Sequence, residues 1–208
     1  MAPSLAPTSD TLSFFFDPAC PWTWITSRWF LGATNRRGSD VRWRAFSLSL
    51  INEGNDVPEQ YRAPMLQSNR ALRVVESLHA EGRHAEAGDF YTALGERAHV
   101  GGRTFDEQVL LDAGAEVGLD DVLDRADAAE NEVLVRAAFD EIRPVVGDEV
   151  GSPVVRLDAT GHALSGPIVN PAPSAADADR LLAATLTMLE VPTFFELKRS
   201  RTSGPDFS

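Results

Sequence analysis

The stretch Phe14-Phe15-Phe16-Asp17-Pro18-Ala19-Cys20-Pro21-Trp22-Thr23-Trp24 decides how this chain is read. An apolar run suited to a buried strand ends at Asp17, and helical spacing begins at Pro21. Proline is tolerated at a first helical position, where its missing N–H would have had no partner. Cys20, the only cysteine, therefore falls at a helix N-terminus, beside unpaired backbone N–H groups and the positive end of the helix dipole. Such a setting lowers a thiol pKa and frees the thiolate at neutral pH. A lone cysteine can instead pack as a small hydrophobe. Packing alone does not require a strand, a Cys-Pro turn and a helix in that order, so the expectation is a reactive thiol of depressed pKa.

Working outward, residues 12–16 are apolar without alternation, as in a central strand covered on both faces. Trp22, Ile25, Trp29, Phe30 and Ala33 follow at helical spacings, and Arg36-Arg37-Gly38 ends that helix. Residues 41–46 alternate apolar and polar, a second strand. The first stretch is thus β-α-β with Cys20 at the first βα turn, and ligands of open α/β sheets bind outside the carboxyl ends of strands. Residues 47–58 read as a loop, and from Glu59 to about Val146 the pattern is helical, with candidate helices at 59–66, 69–81, 84–99, 105–117, 119–126 and 131–145. Strands return at 153–157 and 162–164 around a turn at Asp158-Ala159-Thr160-Gly161, and Ser174 starts a terminal helix over 175–190. Residues 1–10 read as a frayed leader, and the tail carries Phe194, Phe195 and a basic cluster.

That order gives an α/β, thioredoxin-like fold with a large all-helical insertion between its halves. Residues 11–54 and 147–208 form the thioredoxin-like domain, and 55–146 form the helical insertion, or lid, domain.

Composition narrows the function. A net charge of −12 argues against nucleic acid, whose phosphates need Lys and Arg, and against docking on anionic membranes. No apolar run is long enough to span a bilayer. The opening residues lack the basic start and apolar core of a secretory signal, and one cysteine cannot close an internal disulfide, so a cytoplasmic location is expected. His79, His84, His99 and His162 match no metal-ligand spacing, so no metal is expected. Lys198 is the only lysine among 19 basic residues, a bias that suggests a GC-rich bacterial source.

Cys20-Pro21-Trp22-Thr23 after a strand, with Gly151-Ser152-Pro153 entering a later one, looks like the paired active-site loops of thioredoxin-like proteins. With Ser47-Leu48, Pro58-Glu59-Gln60-Tyr61-Arg62 and Phe194-Phe195-Glu196-Leu197-Lys198-Arg199, the chain resembles the DsbA-like branch of actinobacterial mycothiol-dependent nitroreductases. The resemblance implies a cis Ser152–Pro153 bond facing Cys20, and Cys20, Thr23 and Pro153 as the catalytic set. It further implies that Pro21, Trp22, Asn52, Tyr61, His99 and Ser152 bind the thiol or substrate. Members typically carry Cys-Pro-Trp-Cys; Thr23 stands at the fourth position here, so the resolving thiol is missing. Monothiol chemistry follows: Cys20 attacks a disulfide or electrophile, and a low-molecular-weight thiol, mycothiol, serves as cosubstrate with no bound cofactor. Thr23 is placed either to hydrogen-bond the thiolate or simply as a small first-turn residue.

The expected function is a cytoplasmic thiol-dependent oxidoreductase that reduces mixed disulfides or small electrophiles such as nitro compounds. Its partners are a small-molecule thiol and an electrophile or disulfide substrate, with a homodimer left open. The alternatives are a thiol transferase or isomerase like the kappa-class glutathione transferases, and a small-molecule binding protein that has lost redox turnover.

Overall fold

Strand β1 (Thr11–Phe16) is an inner strand of the sheet, with Leu12, Phe14, Phe15 and Phe16 fully buried. The computed structural model describes residues 10–208, so the leader expected over 1–10 lies, but for Asp10, outside the described residues. Helix α1 (Pro21–Arg37) carries the chain to β2 (Asp40–Ala45), which pairs parallel with β1. Gly38, at φ 78°, ends α1 in a left-handed turn whose N–H donates to Asn35 O, a conformation that favours glycine. Strands β3 (Val154–Leu157) and β4 (Ala163–Ser165) complete a four-stranded sheet of order β2-β1-β3-β4, with both later pairings antiparallel. Alternation along β1 splits the core: Phe14 and Phe16 join Phe30, Trp43 and Tyr91, whereas Phe15 meets Phe46, Phe139 and Val154 on the other side.

Between β2 and β3 the chain is helical: α2 (Leu48–Ile51), α3 (Glu59–Ala80), α4 (His84–Gly95), a π-helical turn at Glu96–Val100, α5 (Glu107–Glu116), α6 (Val122–Asp127) and α7 (Ala129–Val146). Two expectations are corrected here. A short helix, α2, stands inside the expected loop, with Ser47 Oγ accepting from Leu50 N at its start. The expected break at Gln67-Ser68, just before Asn69, is absent. Ser68 reaches Asp17, and Asn69 accepts from Ser47 Oγ and donates to Glu132, so these polar groups find partners without interrupting α3.

Gly88 and Gly95 lie within α4, where the helix passes close to large rings. A Cβ on Gly88 would sit 2.4 Å from Trp43 Nε1, and one on Gly95 2.1 Å from the six-membered ring of Trp24. Helix α8 (Ala175–Leu189), capped by Ser174 accepting from Asp177 N, packs on α1. The residues after it, 190–208, form no regular element. Among the described residues no helix is long and apolar enough to cross a membrane.

Candidate functional site

Cys20 is the N-cap of α1, with its N–H donating to Asp17 O and its carbonyl accepting from Trp24 N. The half-buried thiol borders a cavity of about 330 Å³ that is also lined by Pro21, Leu48, Asn52, Tyr61 and Met65. Asn52 caps α2 through a 2.8 Å bond from Nδ2 to Leu48 O, which fixes its amide at the cavity wall. Tyr61 stands at the exposed mouth.

The loop before β3 closes on the Cys20 turn from the other side. The Ser152–Pro153 bond is cis, and Pro153 is buried. Ser152 Oγ accepts from Asp17 N at 2.8 Å and lies 2.8 Å from Thr23 Oγ1. Either hydroxyl can donate in the Ser152–Thr23 pair, and the Thr23 hydroxyl, one turn along from the thiol, favours its charged form.

The thiol pKa corrects the sequence expectation. Burial pushes Cys20 up, not down, because a thiolate there loses water. The Thr23 hydroxyl and the N–H groups of Thr23 and Trp22 act against this by favouring the thiolate, and the Asp17 carboxylate adds to the rise. The helix N-terminus is where the sequence places it. Its effect is outweighed by desolvation, which the sequence does not display.

Asp17 is a site residue that the sequence reading passes over as a strand end. It is 1% exposed; Oδ1 accepts from Ala19 N and Ser68 Oγ, and Oδ2 from Leu48 N at 2.8 Å. Burial raises its pKa against the pull of those three donors. One carboxylate thus ties β1, α2 and α3 around the Cys20 turn. The available signal is an acidic residue directly after the apolar run Phe14-Phe15-Phe16.

Trp22 and His99 lie apart from the residues that line the cavity. His99, on the π-helical turn, donates through Nε2 to Pro18 O at 2.9 Å and stacks 5.9 Å from Trp24; burial lowers its pKa, so the ring is neutral. Beneath Trp24, Arg28 is 4.0 Å from the indole centroid, and the buried Tyr91 hydroxyl finds no protein partner among the described residues. The structure therefore gathers Cys20, Pro21, Asn52 and Tyr61 at one cavity. Thr23, Ser152 and Pro153 back the sulfur, while Trp22 and His99 stand to the side.

A cysteine at the first βα turn of a β2-β1-β3-β4 sheet, faced by a cis-proline loop, defines a DsbA-like protein of the thioredoxin fold. Residues 19–199 match the family described as Rv2466c-like, mycothiol-dependent nitroreductase Rv2466c, and the chain belongs to that family of oxidoreductases. An uncharacterized protein of Mycobacterium tuberculosis H37Rv, Rv2286c, is 29% identical over 204 residues, covering 92% of this chain and 83% of that one. Among solved structures, the probable DsbA oxidoreductase SCO1869 of Streptomyces coelicolor superposes with a TM-score of 0.57 at 20% identity, covering 95% of this chain and 97% of that one. The cytosolic disulfide reductase DsbM of Pseudomonas aeruginosa, solved with GSH, gives 0.53 at 17% identity over 85% of this chain and 99% of its own. A 2-hydroxychromene-2-carboxylate isomerase reaches 0.58 at 14% identity, over 87% and 95% of the two chains. At these identities the solved structures speak for the fold.

Proposed function

We propose that this protein is a cytoplasmic monothiol reductase in which Cys20 exchanges with a small thiol, mycothiol, to reduce mixed disulfides or small electrophiles such as nitro compounds. The observation that carries this reading is the single thiol bordering a largely apolar cavity, with the hydrogen-bonded Thr23 and Ser152 hydroxyls behind it. Family membership supports the thiol cosubstrate. The cytoplasmic assignment leans on the lone cysteine and on the likeness to DsbM, a cytosolic disulfide reductase.

In the first step Cys20 thiolate attacks one sulfur of a disulfide. A Cys20–S–S–R bond forms, the substrate S–S bond breaks, and the other half leaves as a thiolate that takes a proton. In the second step a mycothiol thiolate attacks the R-side sulfur and expels Cys20 thiolate, leaving a mycothiol–R disulfide. For a nitro compound, two thiols supply the two electrons of each reduction step and leave as one disulfide. Asn52 and Tyr61 are proposed to orient the group that enters the cavity, Trp22 and His99 to shape the neighbouring wall, and residues 55–146 to serve as the lid.

Intact-mass measurement after incubation with mycothiol disulfide tests this. One mycothiol adduct per chain is expected, absent from Cys20→Ser and released by added mycothiol. No adduct at any pH up to the thiol midpoint would leave the site without thiol chemistry.

A further inference from the structure

The chain leaves the body after α8 with Phe195 and Leu197 almost fully exposed, then returns at Arg201. From there it crosses three elements that surround the Cys20 turn. The Arg201 guanidinium lies 4.5 Å above the Trp22 ring, in the first turn of α1. Asn170, in the loop after β4, clasps the next residues on both sides of its amide: Nδ2 donates to Ser203 Oγ at 3.0 Å and Gly204 O at 2.9 Å, and Oδ1 accepts from Asp206 N at 2.7 Å. Phe207 then stacks 5.8 Å from His99, which also donates to Pro18 O, two residues before Cys20. The Asn170 loop also approaches α1, with Pro167 O 3.4 Å from Thr26 Oγ1, whose proton has its nearer acceptor in Trp22 O at 2.9 Å.

We infer that residues 201–208 form a strap that walls the Trp22 and His99 side of Cys20, so that the site admits a small thiol, disulfide or electrophile and turns away folded polypeptides. The inference rests on the thiol-exchange reading of Cys20 and adds what decides the substrate's size. The segment begins two residues beyond the last residue matched to the family, so nothing in that match assigns it a role. Its contacts differ in kind. A cation over an indole and a stacked phenyl ring anchor the two ends, and three hydrogen bonds to one amide fix the middle. An extended backbone held this way lies flat against the protein. It leaves the opposite approach, through the cavity lined by Asn52 and Tyr61, as the route to the sulfur. A small molecule fits that route; an extended or folded polypeptide needs the ground the strap occupies.

Because Cys20 is the only cysteine, maleimide labelling reports this site alone. The test compares, in full-length protein, the labelling rate by N-ethylmaleimide with that by a maleimide displayed on a small folded carrier protein. Two variants loosen the strap from different ends: Arg201→Ala combined with Phe207→Ala, and Asn170→Ala alone. In each, the carrier-to-small rate ratio is expected to rise about ten-fold over wild type, as local contacts of this strength are lost. A ratio unchanged in both variants, with N-ethylmaleimide still labelling Cys20, overturns the strap and leaves the thiol reading standing. Failure of N-ethylmaleimide to label wild-type Cys20 at all removes the thiol reading, and the strap's role with it.

Discussion

Replacing Thr23 by Val keeps the shape of a fully buried side chain and removes the one hydroxyl that the structure assigns to the Cys20 sulfur. A hydrogen bond to a charged group contributes about 1.5–3 kcal/mol, and about 1.4 kcal/mol corresponds to one pKa unit. The N–H groups of Thr23 and Trp22 stay in place, so the lower end applies and the Cys20 midpoint should rise by about one unit. The thiolate fraction at neutral pH then falls about ten-fold, while the surviving thiolate gains nucleophilicity with a Brønsted slope of about 0.4–0.5. The rate of exchange with a small aromatic disulfide should therefore drop about three-fold at neutral pH and rise by a similar factor on the alkaline plateau. A pH–rate profile of the single thiol reads both ends. Ser152→Ala should move the midpoint by less, since Ser152 reaches the sulfur only through Thr23. A Thr23→Val midpoint equal to or below wild type would refute a stabilising Thr23 hydroxyl.

Asp17→Asn should lower the Cys20 midpoint in the same titration, because it removes the carboxylate that raises it; a rise would mean that the donors gathered by Asp17 matter more than its charge. His79 is held near a pKa of about 4 by burial and then by the charges of Arg44, His84 and Arg42, against about 6.5 for an unfolded chain. Its contribution is therefore fully present above about pH 6.5 and is lost as pH falls toward 4, amounting to about 1–2 kcal/mol after discounting for a half-exposed ring. Urea unfolding of His79→Gln should show a shallower loss over that window, and parallel losses in variant and wild type would absolve His79.

Much of the frame was legible because its signals are periodic. The Phe14-Phe15-Phe16 run of β1, the alternation in β2, and the spacing of Ile25, Trp29, Phe30 and Ala33 each give a local pattern that tertiary packing does not overrule. Where reading failed, polar residues had distant partners. Ser68 and Asn69 look like a helix break until Asp17, Ser47 and Glu132 are seen to take up their polar groups. The candidate site divides in the same way. Cys20, Thr23 and Ser152 are legible from two short motifs, but the fourfold tethering of Asp17 and the return of Arg201 to Trp22 join residues far apart in sequence and leave no local trace. The thiol pKa was misread for a related reason. A helix N-terminus is visible in sequence; the dryness of the place where it ends is not.

That misreading bears on the direction of the chemistry. A thiol whose pKa is strongly depressed has a stabilised reduced form, which makes its disulfide a strong oxidant. Cys20 is displaced the other way by burial, so its reduced form gains little and its mixed disulfide is comparatively favoured. Such a sulfur is the stronger nucleophile once ionised but the slower leaving group, so release of the mixed disulfide makes the greater demand on the second thiol. The cost in attack rate is modest, since each unit of pKa loses about ten-fold in thiolate and regains about three-fold in nucleophilicity. The Thr23 hydroxyl contributes to this balance by favouring the thiolate.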